Sequence, residues 1–164
     1  MSAGIALPAA TPIALRAGTP RDLDFVQGLS QQAFAGYGDY SAVLPDWLAD
    51  PAVQTVLAEE RAGRAVGFAM LGHSPVRRFS MTSRGELLAI AVVADRRHHG
   101  IGRLLLEEIE RRARAANMRE IRLSTAETNV VARHLYGSQG FAVLAHSRRS
   151  YPSGQSALEM AKQL

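Results

Sequence analysis

Hydrophobic positions along the chain recur with two different periods, which predict a mixture of helices and strands. The strongest helical period covers residues 101–116, where apolar residues recur every three or four positions and three Glu–Arg pairs are spaced four residues apart with the acid first. The apolar run at 87–93 is continuous rather than alternating, which is typical of a strand covered on both faces. A buried strand, a tight loop and a helix therefore follow one another along this part of the chain.

Shorter apolar segments predict the remaining elements on either side of that unit. In order, they are a strand at 13–16, a helix from Thr19, a short helix near Trp47, a hairpin of 53–60 and 65–73, a strand at 121–125, a helix at 129–138 and a last hairpin of 141–149 and 156–162. Residues 1–11 lack periodicity and predict a flexible N-terminal tail, which leaves 12–164 as a single domain. The predicted class is mixed α/β (α+β), with antiparallel hairpins around one strand–loop–helix–strand unit.

Composition excludes several classes of function. The chain has 164 residues, a formal net charge of +4 and no cysteine, so disulfides and thiol catalysis are excluded. No segment reaches the ~18 consecutive apolar residues of a membrane span, and no basic segment typical of a secretory signal opens the chain. We therefore expect a cytoplasmic protein without a membrane partner. The basic residues are scattered, and all but Lys162 are arginines, which argues against nucleic-acid binding.

The loop between the buried strand and its helix carries the main candidate chemistry. Gly100 and Gly102 let the backbone approach a ligand without a Cβ in the way, and a helix N-terminus directs its free N–H groups toward an anion such as pyrophosphate. An ordinary tight turn is the alternative. A dinucleotide-binding fold is disfavoured, because Leu105 stands where a third glycine is expected and only one βαβ unit is present.

Two motifs make the chain resemble the GNAT superfamily of acyl-CoA-dependent N-acyltransferases. Segment 89–105 is similar to the family's acyl-CoA motif, (Gln/Arg)-x-x-Gly-x-(Gly/Ala), through Arg97, Gly100 and Gly102. Segment 128–141 is similar to the family's pattern of Asn, Leu-Tyr and Gly-Phe. The resemblance implies a GNAT fold, with a central mixed, mostly antiparallel sheet of about seven strands, parallel and splayed strands 4 and 5, and about four helices.

The resemblance also implies which residues bind acetyl-CoA, the expected cosubstrate. The backbone of Ile90, Ala91 and Val92 would bind the pantetheine arm as an additional strand does, and the Ile90 N–H would polarise the thioester carbonyl. Asn129 would hold the pantetheine, and an ordinary helix N-cap is an alternative compatible with that role. The pyrophosphate would lie on the loop residues Arg97, His98, His99, Gly100, Ile101, Gly102 and Arg103. The histidines would contribute their backbone only, and no metal site is expected.

Two side chains are implied as acid and base. Tyr136 matches the family's general acid, and a phenol of pKa about 10 is a reasonable proton donor to a thiolate of pKa about 8.5; a core-facing tyrosine is the alternative. Glu86 corresponds in position to a general base used by part of the family, and a solvated strand-end carboxylate is an equal alternative. The branch that acetylates protein N-termini has a glutamate where this chain has Ser124, which argues against that branch.

The predicted activity is direct transfer of the acetyl group of acetyl-CoA to a primary amine of a small molecule. The alternatives are a GNAT-fold acyl-CoA sensor or interaction module without turnover, and acetylation of a protein or peptide amine. Arg77, Arg78 and Arg84 predict that the acceptor carries an acidic group, unless these arginines are merely solvated. Aromatic walls would come from Phe34, Tyr37, Tyr40 and Trp47, which alternatively pack the first helix. A monomer and a homodimer are both compatible with the sequence.

Overall fold

The computed structural model describes residues 12–74 and 83–164, and within them one seven-stranded sheet has helices on both faces. The strands are β1 (Ile13–Ala17), β2 (Gln54–Glu60), β3 (Ala65–Ser74), β4 (Ser83–Val92), β5 (Met118–Ala126), β6 (Ala142–Ser147) and β7 (Ala157–Gln163). The helices are α1 (Leu23–Phe34), α2 (Leu44–Ala49), α3 (Ile101–Ala115) and α4 (Val130–Ser138). The strand order is β1-β2-β3-β4-β5-β7-β6.

The predicted order of elements is confirmed, with small differences at their ends. β4 begins at Ser83, several residues before the apolar run at 87–93, because its polar first residues already pair with β5 and β3. β5 begins at Met118 because Met118 and Ile121 are both buried against the sheet's core. The tail predicted for residues 1–11 lies outside the described residues.

β4 and β5 are parallel and then separate, as predicted. Their pairing runs from Ser83 opposite Met118 to Glu86 opposite Arg122. Beyond that point β4 continues in register with β3, while β5 continues in register with β7. One backbone edge of β4, over residues 87–92, therefore faces a cleft instead of a neighbouring strand.

Two apolar clusters cover the two faces of the sheet. Leu105 and Ile109 of α3 are fully buried in the first cluster, which also contains residues of β2, β3, β5 and β7. Val26 of α1 and Leu44 of α2 are fully buried in the second, together with Phe68 of β3. β4 contributes to both clusters, which explains why its sequence is apolar without alternation.

An ion pair ties α3 to the last strand. Lys162 Nζ lies 2.7 Å from Glu110 Oε1 and 2.8 Å from Oε2, and Glu110 is only 5% exposed. Arg114 Nη2 approaches the same carboxylate at 3.5 Å. Since an unpaired buried carboxylate is costly, Lys162 makes the apolar contact between α3 and β7 compatible with a glutamate at this position.

Candidate active site

The glycine loop leads into α3 through residues with left-handed backbone. His98 has φ 62° and Gly100 has φ 79°, and Gly100 is the N-cap of the helix. An added Cβ at Gly100 would meet no atom within 4 Å, so backbone conformation rather than space requires glycine there. The first N–H groups of α3, including that of Ile101, have no partner within the helix and form an anion-binding end.

At position 102, close packing rather than backbone conformation favours a small residue. A Cβ on Gly102 would lie 3.3 Å from Leu135 Cδ2, so α3 and α4 approach each other closely at the head of the loop. A methyl group would require a small shift of Leu135, which agrees with a motif that accepts glycine or alanine at this position. Asn129 begins α4, where its Oδ1 accepts a hydrogen bond from the Ala132 N–H at 3.2 Å. Asn129 is thus a helix N-cap, and this leaves its amide nitrogen available for a ligand.

Side chains of the loop make local contacts that hold its shape. Arg97 Nε donates to the Val92 carbonyl at 3.1 Å, and His99 Nδ1 lies 2.7 Å from the Arg97 carbonyl. Arg103 is exposed and pairs with Glu107 at 2.7 Å. The positive charges of Arg97 and Arg103 therefore stand beside the anion-binding end of α3.

Alternation of the backbone decides which groups of β4 face the cleft. The Val93 N–H donates to the Val66 carbonyl just before β3's pairing with β4 begins. Because successive peptide groups point in opposite directions, the Ala91 backbone turns toward β3, while Ile90 and Val92 turn toward the cleft. The Val92 carbonyl accepts a hydrogen bond from Arg97 instead of pairing with β3, which agrees with this assignment. Alternation favours Ile90 and Val92 over Ala91 for binding a pantetheine arm.

Tyr136 lies on the buried face of α4. It is 6% exposed, and its ring centroid is 6.0 Å from that of Phe141. Burial raises the pKa of the Tyr136 phenol, and the neighbouring phenols of Tyr151 and Tyr40 raise it further. The phenol therefore keeps its proton at neutral pH, which a general acid needs. The burial is equally compatible with a purely structural tyrosine.

Glu86 and Ser124 lie on the face of the sheet that carries α1 and α2. The neighbours Gly85 and Leu123 point toward the α3 side, since a Cβ on Gly85 would meet Ile121 and Leu123 belongs to that core. Strand alternation then puts Glu86 and Ser124 on the opposite face. Both are exposed. The carboxylate predicted as a base and the serine that departs from the family pattern therefore share one side of the cleft.

The segment between α1 and α2 meets the loop between β6 and β7 on this side. Ser153 Oγ and Gln155 Nε2 both donate to the Gly36 carbonyl, at 3.2 Å and 3.4 Å, and the rings of Tyr37 and Tyr151 are 5.9 Å apart. Between the two segments lies a groove of about 630 Å³, which we call the lateral groove. Its walls include Ser30, Gln31, Gly36, Asp39, Tyr40 and Ser153.

The sequence pattern does not identify the β6–β7 loop as part of a site. It predicts only the turn of the last hairpin there. One signal was available, because Tyr151 is a large aromatic residue among small polar residues in that turn. Burial raises the pKa of Tyr151, so its side chain is partly covered by the segments that it joins.

The acceptor residues predicted from the sequence are only partly brought together. The ring of Tyr40 lies 5.0 Å from that of Phe34 and 6.4 Å from that of Trp47, and all three pack against the core beneath α1 and α2. Arg84 is paired with Glu120, its Nε 3.0 Å from Oε1. Arg77 and Arg78 lie outside the described residues. Of the three arginines predicted to bind an acidic group, the structure therefore describes Arg84, which is already paired.

Within residues 12–74 and 83–164, no group of three or more His, Cys, Asp or Glu side chains is arranged to hold a metal ion. No helix of this part of the chain is both long and apolar enough to cross a membrane.

Comparison with known proteins identifies the family. The model of the acetyltransferase (GNAT) family matches residues 24–141. An uncharacterized N-acetyltransferase of Methanocaldococcus jannaschii is 30% identical over 150 residues, which are 90% of each chain. Among solved structures, Arabidopsis thaliana NAA60 in complex with acetyl-CoA has a TM-score of 0.82 at 16% identity, covering 93% of this chain and 99% of that one. The ribosomal-protein-S18-alanine N-acetyltransferase of Escherichia coli has a TM-score of 0.78 at 21% identity, covering 93% and 94%.

The chain belongs to the GNAT family of acetyltransferases. It is an acyltransferase enzyme, and acetyl-CoA is its cosubstrate. The fold and family predicted from the two motifs are therefore confirmed.

Proposed function

We propose that the enzyme transfers the acetyl group of acetyl-CoA directly to a primary amine of a small molecule. The observation that carries this proposal is the contact of Ser153 and Gln155 with the Gly36 carbonyl. Two hydrogen bonds there join the segments on either side of the acceptor face, which narrows the passage that an extended peptide would need. Ser124, in the position of a glutamate found in the branch that acetylates protein N-termini, supports the same choice. A cytoplasmic location is part of the proposal.

In this proposal, backbone groups bind the cosubstrate. The N–H and C=O groups of Ile90 and Val92 pair with the pantetheine arm along the free edge of β4, and the first turn of α3 with the preceding loop binds the pyrophosphate. For Val92 this requires Arg97 to release the carbonyl to which it donates. Arg97 then becomes free to pair with the pyrophosphate. Asn129 contributes its amide from the head of α4.

The chemical step needs one acid and one base. The acceptor nitrogen attacks the thioester carbonyl carbon, the carbonyl oxygen gains negative charge beside the Ile90 N–H, and the C–S bond then breaks. Tyr136 gives its proton to the departing thiolate sulfur. Glu86, directly or through a water molecule, takes the proton that the amine nitrogen loses. No covalent enzyme intermediate is required.

Acetylation of a protein N-terminus is the second candidate. The likeness to NAA60 and to the S18-alanine N-acetyltransferase supports it, because the second of these acts on a protein alanine by its name. Two observations argue against this candidate. Ser124 occupies the position of the glutamate of that branch, and the hydrogen bond from Ser153 to the Gly36 carbonyl joins the two segments beside the proposed acceptor face.

Release of CoA from acetyl-CoA decides between the two candidates. Small primary amines and short peptides with free N-termini are compared at equal concentrations. The same peptides with blocked α-amino groups are the control, because any CoA that they release does not come from acetylation of the N-terminus. We expect kcat/KM to be higher for the best small amine than for any peptide. A peptide that surpasses every small amine would contradict the small-molecule proposal and support the second candidate.

A further inference from the structure

The lateral groove carries a charge opposite to that of the molecule as a whole. The formal net charge of the chain is +4, and Arg97 and Arg103 stand at the cosubstrate loop. Among the described residues that line the groove, however, Asp39 is the one with a formal charge. A carboxylate with no basic side chain among the described lining residues makes the local potential of the groove more favourable for a cation than for an anion.

Hydrogen bonds keep the Asp39 carboxylate in place and ionised. The Ser41 backbone N–H donates to Asp39 Oδ1 at 2.8 Å. Contacts with the Ser41 side chain and backbone lower the pKa of Asp39, so the carboxylate is fully charged at neutral pH. Asp39 is exposed, so its carboxylate can also accept a hydrogen bond from a ligand in the groove.

A second group on the groove wall lacks a partner. Ser30 is 2% exposed, and its Oγ makes no hydrogen bond to any described residue. A buried hydroxyl left unsatisfied is unfavourable, and a ligand that donates hydrogen bonds removes that cost. An ammonium group has three donors and no acceptor, which matches a carboxylate and a hydroxyl better than an anion would.

The groove lies on the same side of the sheet as Glu86, between the segment after α1 and the β6–β7 loop. Tyr40 lines the groove, and its phenol, like that of Tyr151 in the β6–β7 loop, raises the pKa of Tyr136. In this arrangement we place the acceptor with its reactive nitrogen near Tyr136 and its far end past Tyr40, toward Asp39.

We propose that the acceptor is a small amine with a second cationic group, and that Asp39 in the lateral groove binds this second group. The inference rests on the proposed function and names its substrate class. It differs from the acidic acceptor predicted from Arg77, Arg78 and Arg84, of which the first two lie outside the described residues. Asp39 acts in acceptor selection and takes no part in the acetyl transfer itself.

Three four-carbon amines test the charge preference. They are 1,4-diaminobutane, n-butylamine and 4-aminobutanoate, whose far ends are positive, neutral and negative. For the wild type we expect kcat/KM to fall in that order. Asp39→Asn keeps an oxygen for the Ser41 N–H but removes the charge, so kcat/KM for the diamine should fall about threefold to fivefold, as for a solvent-exposed ion pair, while that for n-butylamine stays unchanged. Asp46→Asn, an exposed carboxylate of α2 outside the groove, is the matched control.

A charge reversal and a binding measurement complete the test. Asp39→Lys should move the preference from the diamine to 4-aminobutanoate. Binding of 1,4-diaminobutane, followed by NMR line broadening, should weaken in Asp39→Asn relative to the wild type and to Asp46→Asn. Unchanged preference and unchanged binding in the Asp39 variants would overturn this inference while leaving the proposed function intact. If only peptides release CoA, the small-molecule proposal fails, and the binding measurement still decides the role of Asp39.

Discussion

The cosubstrate side and the acceptor side of the cleft are built from different parts of the protein. On the proposed cosubstrate side, the groups available for recognition are backbone groups along β4 and at the head of α3, where Gly100 has φ 79°. On the proposed acceptor side, the available groups are side chains such as those of Ser153 and Asp39. Backbone recognition needs a fixed conformation and therefore constrains the residue type, whereas an exposed side chain can change without disturbing the fold. One scaffold can thus keep its cosubstrate and change its acceptor.

The largest effect is expected at the point where the two sides meet. Tyr136→Phe keeps the packing against Phe141 but removes the proton of the candidate acid. Turnover should fall by about 10²–10⁴-fold, with acetyl-CoA affinity and thermal stability nearly unchanged. Steady-state kinetics measures turnover, and calorimetry measures acetyl-CoA affinity and thermal stability. Tyr37→Phe is the control, because it removes a phenol hydroxyl from the segment between α1 and α2. A loss of less than threefold would make Tyr136 a structural residue.

The raised pKa of Tyr136 predicts how turnover depends on pH in the basic range. Because burial and the nearby phenols raise the pKa of Tyr136, its proton is retained above the ordinary phenol value of about 10. Wild-type kcat should accordingly show no decline from loss of this proton between pH 7 and about 9.5. A basic limb that is present in the wild type and absent in Tyr136→Phe would contradict the raised pKa.

Cosubstrate binding should be lost when the glycine loop receives a negative side chain. Gly100→Asp puts a carboxylate at the anion-binding end of α3, so acetyl-CoA at a hundredfold excess over its wild-type Kd should no longer give the expected stabilisation of about 2.7 kcal/mol. Thermal unfolding with and without acetyl-CoA measures the difference. Gly63→Asp is a matched control, because Gly63 also has positive φ (78°) and open space around it. If both variants keep the ligand-induced shift, the loop does not bind the pyrophosphate.

A smaller effect is expected for the candidate base on the acceptor side. Glu86→Gln should lower kcat/KM for the acceptor about tenfold, below the usual range for a general base because water remains to take the proton. The acidic limb of the pH profile should shift in the same variant. Glu107→Gln, on the exposed side of α3, serves as the control. An unchanged acidic limb would remove Glu86 from the mechanism.

The smallest effect is expected where the two acceptor segments touch. Removing both donors to the Gly36 carbonyl, by Ser153→Ala with Gln155→Ala, should lower KM for bulky or peptide acceptors about twofold to threefold, since each neutral hydrogen bond contributes little net free energy. KM for small amines should stay constant. Ser150→Ala removes a hydrogen bond made within the same loop and is the control. Equal effects on small and large acceptors would mean that this contact does not limit acceptor size.

The two sides also differ in how far the sequence predicts them. Gly100, Gly102 and the apolar strand before them are neighbours in the chain, so their spacing already predicts the loop and the helix that it opens. Gly36 and Ser153 are 117 residues apart, and no local period connects them. Their meeting depends on how α1 and the last hairpin pack on the sheet.

Aromatic residues near α1 illustrate the same limit. Phe34, Tyr37, Tyr40 and Trp47 are close in sequence and suggested a common wall. In the structure Phe34 and Trp47 pack against the core, Tyr37 contacts Tyr151, and only Tyr40 also lines the groove. Composition indicates that aromatic surface is present, but the direction of each side chain follows from the turn after α1.

The ion pair between α3 and β7 has a chemical consequence for an enzyme that handles an acetylating agent. Lys162 is the single lysine of the sequence, and its ammonium nitrogen lies within 2.8 Å of both oxygens of Glu110. An ε-amine that donates to both oxygens of a buried carboxylate is a poor nucleophile toward a thioester. The ion pair thereby protects the single lysine of the sequence from the cosubstrate, and amine-reactive reagents should label Lys162 more slowly in the native protein than in the unfolded protein.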